Sequence, residues 1–121
     1  MKISEKSNSD KGFTEFYLLD SNGGIGNYPD VITFDQGVIV SLCIVNHEQT
    51  EKKYKISMVI DGILTDIYDS IILADQQKWE CPVTFNPNSL GVNQKIEFYL
   101  YINGNDTPNL KLQLWLDVLN S

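Results

Sequence analysis

Hydrophobic side chains recur at every second position through most of this sequence. Segment 110–118 shows the pattern most clearly, because leucines occupy every second position and a helix would spread them around its circumference. Successive side chains of a β-strand point to opposite faces, so this alternation predicts strands that each bury one face. The predicted strands are 13–19, 37–46, 53–60, 77–86, 94–102 and 110–118, with 67–73 as a weaker candidate.

Turn-forming residues separate these segments. Asp61-Gly62 and Asn103-Gly104 are tight-turn signals, and the stretch 20–30 predicts a long irregular connection after the first strand. Pro82 cannot donate a ladder hydrogen bond, which predicts that segment 77–86 lies at a sheet edge or is bulged. Short strands at this spacing predict an all-β fold, an immunoglobulin-like β-sandwich of seven to eight antiparallel strands forming a single domain over residues 13–121. An up-and-down barrel is the alternative.

Composition limits the classes of partner. The 121 residues include nine lysines, no arginine and sixteen acidic residues, for a net charge of −7. Nucleic acids and anionic membranes are held by clustered basic residues, so neither is an expected partner. No apolar stretch approaches the length of a membrane span, and the polar residues 1–12 suggest a flexible linker or the edge of an expressed fragment.

The two cysteines are predicted to be free thiols. Cys43 shares its strand face with Ser41, away from the main apolar row, whereas Cys81 shares the inward row with Trp79 and Phe85. A disulfide requires Cβ atoms about 4 Å apart that face each other, which side chains on opposite sheet faces do not provide. An oxidising compartment is the one argument for the alternative, a disulfide.

His47, the single histidine, could serve as a base or a metal ligand. A zinc site would lack further ligands nearby, and ordinary turn chemistry accounts for its neighbours, with Asn46 organising the backbone. We therefore predict a turn histidine, and a hydrolase or metal enzyme centred on His47 is the least favoured alternative. No catalytic residue, metal site or cofactor is predicted.

Three further motifs carry little weight. The glycine-rich stretch 23–27 lacks the following helix of a phosphate loop, and Asp61, Asp66 and Asp69 are better explained as solvated carboxylates than as a calcium site. The triplet 105–107, Asn-Asp-Thr, matches an N-glycosylation acceptor, which would require a surface loop outside the cell.

An aromatic outward face is the main candidate site. If Ile102 lies opposite Leu110, then Tyr101 faces Lys111, Tyr99 faces Gln113, and Glu97 faces Trp115, so that Tyr99 and Trp115 are diagonal neighbours. Tyrosine and tryptophan with a few polar groups suit a protein or glycan partner. The alternatives are aromatic pairs that only stabilise the sheet and a face covered by loop 20–31. The predicted partner face comprises Tyr99, Tyr101, Trp115, Lys55 and Lys111, with Lys53 beside it.

Several motifs occur in an order that resembles a known family. They are Phe13–Leu19, Asn27-Tyr28-Pro29, Ile44–Glu48, Lys78-Trp79-Glu80, Phe85-Asn86-Pro87, Gln94–Tyr101 and Leu112–Val118. The set resembles the soluble region of an uncharacterised family of predicted archaeal membrane proteins, the domain of unknown function sixteen-sixteen. More loosely, the chain is similar to adhesion-type sandwich modules of cell-surface proteins and glycosidases.

This resemblance implies a setting but no mechanism. Members of the family have membrane helices before such a domain, which lies outside the membrane, and they supply no catalytic residues. We therefore expect a non-catalytic extracytoplasmic spacer or interaction domain, linked to a membrane region without spanning it, as a monomer or weak dimer. The alternative function is a carbohydrate-binding module that uses the Tyr/Trp face.

Overall fold

A computed structural model describes residues 12–19, 31–33, 38–85 and 91–119. The described part of the chain forms eight strands and connecting turns. The strands are β1 (Phe13–Leu19), β2 (Val31–Thr33), β3 (Val38–His47), β4 (Lys52–Ile60), β5 (Ile63–Leu73), β6 (Lys78–Phe85), β7 (Gly91–Ile102) and β8 (Leu110–Leu119).

The strands form two sheets. A three-stranded sheet has the order β1-β3-β6, and a five-stranded sheet has the order β2-β8-β7-β4-β5. This arrangement confirms the immunoglobulin-like sandwich. All pairings are antiparallel except that of β2, which lies parallel to β8. The alternation did not predict β2, because a three-residue strand is too short to show a period of two.

The core lies between the sheets and is built from the predicted inward rows. Leu42 and Ile44 of β3 meet Tyr54 and Ile56 of β4, and all four are inaccessible to solvent, as is Phe98 of β7. Burying a large apolar side chain stabilises a fold by roughly 1.5–3 kcal/mol. The alternating rows therefore account for most of the driving force that brings the two sheets together.

Positive backbone angles explain the two predicted tight turns. Asp61 and Gly62 have φ angles of 48° and 83°, and Asn103 and Gly104 have 54° and 76°. Aspartate, asparagine and glycine tolerate this left-handed region best. Asp61 also accepts a 2.8 Å hydrogen bond at Oδ1 from the backbone N–H of Lys95, which joins the turn to β7.

Edge strand β6 and the two thiols match their predictions. Pro82 lies in β6, which has a neighbour on one side only, as predicted for a strand that contains a proline. Leu42 pairs with Cys81 and Cys43 pairs with Glu80, which places the two sulfur atoms on opposite faces of the three-stranded sheet. Both thiols are free, and Cys43 is fully buried although it faces outward.

Strand β5 is longer than the predicted segment 67–73. Its pairing with β4 shifts register twice, and Ser70 takes a positive φ of 59°. Each extra residue reverses which face the following side chains occupy, so the alternation fails across the strand. As a result, β5 exposes four aliphatic side chains, namely Ile63, Leu64, Ile67 and Ile72.

Candidate functional site on the outer face of the five-stranded sheet

The central strands of the five-stranded sheet turn a row of aromatic and charged side chains to solvent. We call this surface the outer face. One cross-strand row shows its composition, since Ser57 of β4, Tyr99 of β7 and Lys111 of β8 are in direct register. The outer face consists of Lys53, Lys55, Ser57, Lys95, Glu97, Tyr99, Tyr101, Lys111, Gln113 and Trp115.

The predicted register of the β7–β8 hairpin is wrong by two residues. Leu110 lies opposite Leu100 instead of Ile102, so Lys111 faces Tyr99 and Trp115 faces Lys95. A shift of two residues keeps every side chain on its predicted face, which is why the outward rows are otherwise as expected. It separates Trp115 from Tyr99, however, and the predicted diagonal ring pair does not form.

The side chain of Asn109 accounts for the shift. Its Oδ1 accepts a 3.0 Å hydrogen bond from the N–H of Ile102, and its own N–H donates to the carbonyl of Leu100 at 2.7 Å. These two bonds keep Asn109 out of the regular ladder at the end of β7. Strand β8 therefore begins to pair at Leu110.

Glu97 is the electrostatic centre of the outer face. Its Oε2 accepts a 2.5 Å hydrogen bond from the hydroxyl of Tyr99 and lies 3.3 Å from the Nζ atoms of both Lys95 and Lys111. The residue is only 7% exposed. The Tyr99 hydrogen bond, aided by the two lysines, holds the pKa of Glu97 below its ordinary value, and the same bond raises the pKa of Tyr99.

Each aromatic ring of the outer face carries an ammonium group. The Nζ atom of Lys55 lies 4.7 Å from the ring centroid of Tyr101, that of Lys95 lies 5.4 Å from Trp115, and that of Lys111 lies 5.8 Å from Tyr99. Such pairs contribute about 0.5–1 kcal/mol at exposed sites. The structure thus joins the predicted residues as lysine–aromatic pairs, and Trp115 remains 51% exposed.

A groove of about 620 Å³ opens where the outer face meets the turn after β7. Sequence reasoning did not predict it, because it depends on the bulge of β5 standing beside that turn. Asn105 lies in this turn and is exposed, as the acceptor motif would require. The groove is lined by Lys53, Tyr54, Lys55, Asp69, Tyr101 and the turn residues 103–106.

His47 lies on the other sheet and has two hydrogen-bond partners. It is the last residue of β3 instead of a turn residue, and its Nε2 is 2.7 Å from Oε1 of Glu15, while Nδ1 is 3.0 Å from Oε1 of Gln76. Its ring packs on Phe13 with 4.7 Å between centroids. These contacts fix the imidazole between β1 and the turn before β6. Within the described ranges, neither ring nitrogen contacts a hydroxyl or thiol that could act as a nucleophile.

Asn46 organises the backbone around it, as predicted. Its Oδ1 accepts from the N–H of Glu48 at 2.7 Å, and its Nδ2 donates to the carbonyls of Thr50 and Leu73 at 3.0 and 2.8 Å. Leu73 ends β5, so this fully buried amide joins the two sheets. The Asn-His-Glu motif therefore has a structural role at this corner of the sandwich.

Several predicted features lie outside the described residues, including the glycine-rich stretch 23–27 and residues 20–30 of the loop given as an alternative cover of the aromatic face. Among the residues that are described, no cluster of three or more His, Cys, Asp and Glu side chains could hold a metal ion, and Asp61, Asp66 and Asp69 form no such group. No helix in the described ranges has the length and apolarity needed to cross a membrane.

These observations define the class of the protein as an immunoglobulin-like β-sandwich domain of unknown function. The chain belongs to the DUF1616 family, a domain of unknown function, whose model matches residues 7–117. The resemblance inferred from the motifs is thereby confirmed at the level of the family. No curated protein is similar in sequence to this chain.

Solved structures share the fold at low sequence identity. The CARDB domain of the PF1109 protein from Pyrococcus furiosus, solved in complex with di-metal ions, is 13% identical with a TM-score of 0.63, over 91% of this chain and 97% of that one. A β-glucosidase from Listeria innocua is 11% identical with a TM-score of 0.59, over 91% of this chain and 17% of that enzyme. Pseudomonas fluorescens alkylpurine DNA glycosylase AlkC is 12% identical with a TM-score of 0.53, over 86% and 30%.

The coverage values separate these neighbours. This chain spans nearly the whole CARDB domain but only a minor part of the two enzymes. Identities this low show a common fold and nothing about activity.

Proposed function

We propose that this chain is a non-catalytic interaction domain on the outside of the cell, attached to a membrane or surface protein. The observation that carries the proposal is the outer face, where Tyr99, Tyr101 and Trp115 are presented with lysines on a rigid sheet. Large aromatic side chains with few rotatable bonds are typical of binding surfaces. A fold shared over 97% of a CARDB domain supports a self-contained module.

The His47 contacts support the non-catalytic part of this proposal. A general base needs an open nitrogen that can reach the proton it removes. In this structure both nitrogens contact side chains, Glu15 and Gln76, and one ring face lies against Phe13. The arrangement is that of a structural histidine.

Cell-surface labelling tests the location. Cells that express the full-length gene would be treated with a membrane-impermeant lysine reagent, before and after permeabilisation. We expect Lys78 and Lys111 of this domain, which are both exposed, to be labelled on intact cells. Labelling that appears only after permeabilisation would contradict the extracytoplasmic location.

A second candidate function is a carbohydrate-binding module. The groove beside Tyr101 favours it, because an aromatic ring flanked by amides and carboxylates can stack on a sugar and bind its hydroxyl groups. A glycan array that compares the wild-type domain with Tyr101→Ala and Trp115→Ala tests this function. Binding to no glycan, or binding that both variants retain, would exclude it.

A further inference from the structure

The groove combines two kinds of polar group that point to one class of ligand. Lys53 and Lys55 of β4 supply two ammonium groups, and Asp69 of β5 and Asp106 of the turn after β7 supply two carboxylates. A ligand that fits this lining must offer both a negative charge and hydrogen-bond donors. The volume of about 620 Å³ lies in the range of small-molecule sites.

The two lysines of the groove differ from the other lysines of the outer face. Lys95 and Lys111 are both neutralised by Glu97 at 3.3 Å. Lys53 and Lys55, in contrast, form no ion pair with any described residue, and the ammonium group of Lys55 lies over the ring of Tyr101. Asp69 and Asp106 line the groove without pairing with either lysine, so a ligand carboxylate can approach the two ammonium groups even on a chain of net charge −7.

The turn after β7 supplies neutral groups that are already oriented. The Oδ1 atom of Asn103 accepts a 3.0 Å hydrogen bond from the N–H of Lys53, which fixes the amide plane. Its NH₂ group has no partner among the described residues and remains available to a ligand oxygen. Asn105 is held in turn by a 3.2 Å bond to Asn109. Such preorganisation lowers the entropy cost of binding.

We propose that this groove binds an acidic saccharide. Lys53 and Lys55 would hold the sugar carboxylate, Tyr101 would contact the sugar ring, and Asp69 and Asp106 would accept hydrogen bonds from hydroxyl groups. The two carboxylates disfavour a ligand whose polar groups are all anionic, because such a ligand has no hydrogen-bond donor to offer them. The proposal rests on the carbohydrate-binding candidate above and specifies its site and ligand class.

Calorimetric titration of the whole chain tests the proposal. The probes are trigalacturonate, a hyaluronan tetrasaccharide and the methyl ester of trigalacturonate, which keeps the shape of the acid without its charge. We expect at least one acid to bind and the ester to bind at least tenfold more weakly than trigalacturonate if trigalacturonate is the ligand. No binding of either acid at about 10 mM, a limit that corresponds to under 3 kcal/mol, would overturn the proposal.

Variants locate the site. Lys53→Gln should weaken binding about fivefold and the Lys53→Gln/Lys55→Gln double variant more than tenfold, each tenfold step being about 1.4 kcal/mol. The matched control is Lys78→Gln, which removes one exposed lysine from the opposite sheet and should leave the Kd within twofold. Equal binding by the wild type and the double variant would exclude the groove, and triglutamate binding as tightly as the sugar would exclude a saccharide site.

These outcomes separate the groove from the broader proposals. A glycan that binds through Trp115 but is insensitive to Lys53 and Lys55 would keep the carbohydrate-binding module and reject the groove. Surface labelling does not depend on either result, so it tests the extracytoplasmic location separately.

Discussion

Asn46 and Glu97 are both almost inaccessible to solvent, yet they serve different ends. Asn46 lies on the inner side of β3 and bonds to three backbone groups, two in the turn after β3 and one at the end of β5. Glu97 lies on the outer side of β7 and contacts the tips of three long side chains. Backbone partners inside a core cannot turn to water, whereas surface lysines can. Burial therefore identifies a structural group in one case and an organised surface in the other.

We expect the largest loss of stability from a change at Asn46, the structural residue of the pair. Asn46→Ala removes three hydrogen bonds and leaves the buried carbonyl of Leu73 without this donor, so we expect a loss of about 3 kcal/mol in the free energy of unfolding. Urea denaturation measures it. Asn105→Ala is the matched control, since that amide is exposed, and it should change stability by less than about 0.5 kcal/mol. Similar values for the two variants would contradict the structural role of Asn46.

Tyr54→Phe tests a second buried polar contact that, like those of Asn46, has a structural role. The Tyr54 hydroxyl lies 2.9 Å from Thr14 Oγ1, which donates at 2.6 Å to Oε2 of Glu48. The variant keeps the buried ring and removes one polar link, so we expect a loss of about 1 kcal/mol by the same denaturation measurement. Tyr101→Phe, on the outer face, provides a control that should be nearly neutral. A larger loss of stability for Tyr101→Phe than for Tyr54→Phe would contradict the structural role of the Tyr54 hydroxyl.

Glu97→Gln tests the ionic contacts of the outer face, and its effect on stability depends on pH. The pKa of Glu97 is lowered by folding, so its ionised form stabilises the native state at pH values above its ordinary pKa, and this contribution disappears as the pH falls through the lowered value. At pH 7 we expect the variant to lose about 0.5 kcal/mol. The difference between wild type and variant should shrink below about pH 4, where the unfolded-state carboxyl is protonated. A difference that grows on acidification would contradict the assigned ionic role.

The smallest expected effect comes from the lysine–aromatic pairs. Lys55→Gln removes the ammonium group above the ring of Tyr101 and should lower stability by no more than about 0.5 kcal/mol. We expect the same variant to change the free energy of ligand binding by more than it changes the free energy of unfolding. A loss of stability above about 1.5 kcal/mol would mean that the Lys55–Tyr101 pair, like Asn46, has a structural role in the fold.

The same division explains what the sequence could predict. Strand positions and their inward faces follow from alternation, because a half-buried strand such as β4 must place Tyr54 and Ile56 on one side. The β7–β8 register does not follow, since a slip of two residues preserves every face and only the Asn109 bonds decide between the alternatives. Bulges in β5 reverse the pattern without changing composition, so its first four residues, 63–66, were not predicted.

The candidate site was predicted in its members and not in its geometry. Tyr99, Tyr101 and Trp115 are outward by parity, but their neighbours depend on register, which couples Trp115 to Lys95 instead of Glu97. The groove joins a turn, a bulge and two lysines from distant parts of the chain. Likewise, Glu15 reaches His47 only because β1 pairs with β3, a contact between residues 32 positions apart.

Cys43 gives this domain an internal reporter of its own motion. Burial, followed by the nearby Glu80 charge, raises the pKa of its thiol, and the side chain has no exposed area. Because this side chain faces outward, thiolate formation and reagent access both require the side chains that cover it on the outer side of the three-stranded sheet to move. Alkylation of native protein should therefore modify Cys81 first, and the slower rate at Cys43 would measure how often that cover opens. Equal rates at the two thiols would show that the cover does not protect Cys43.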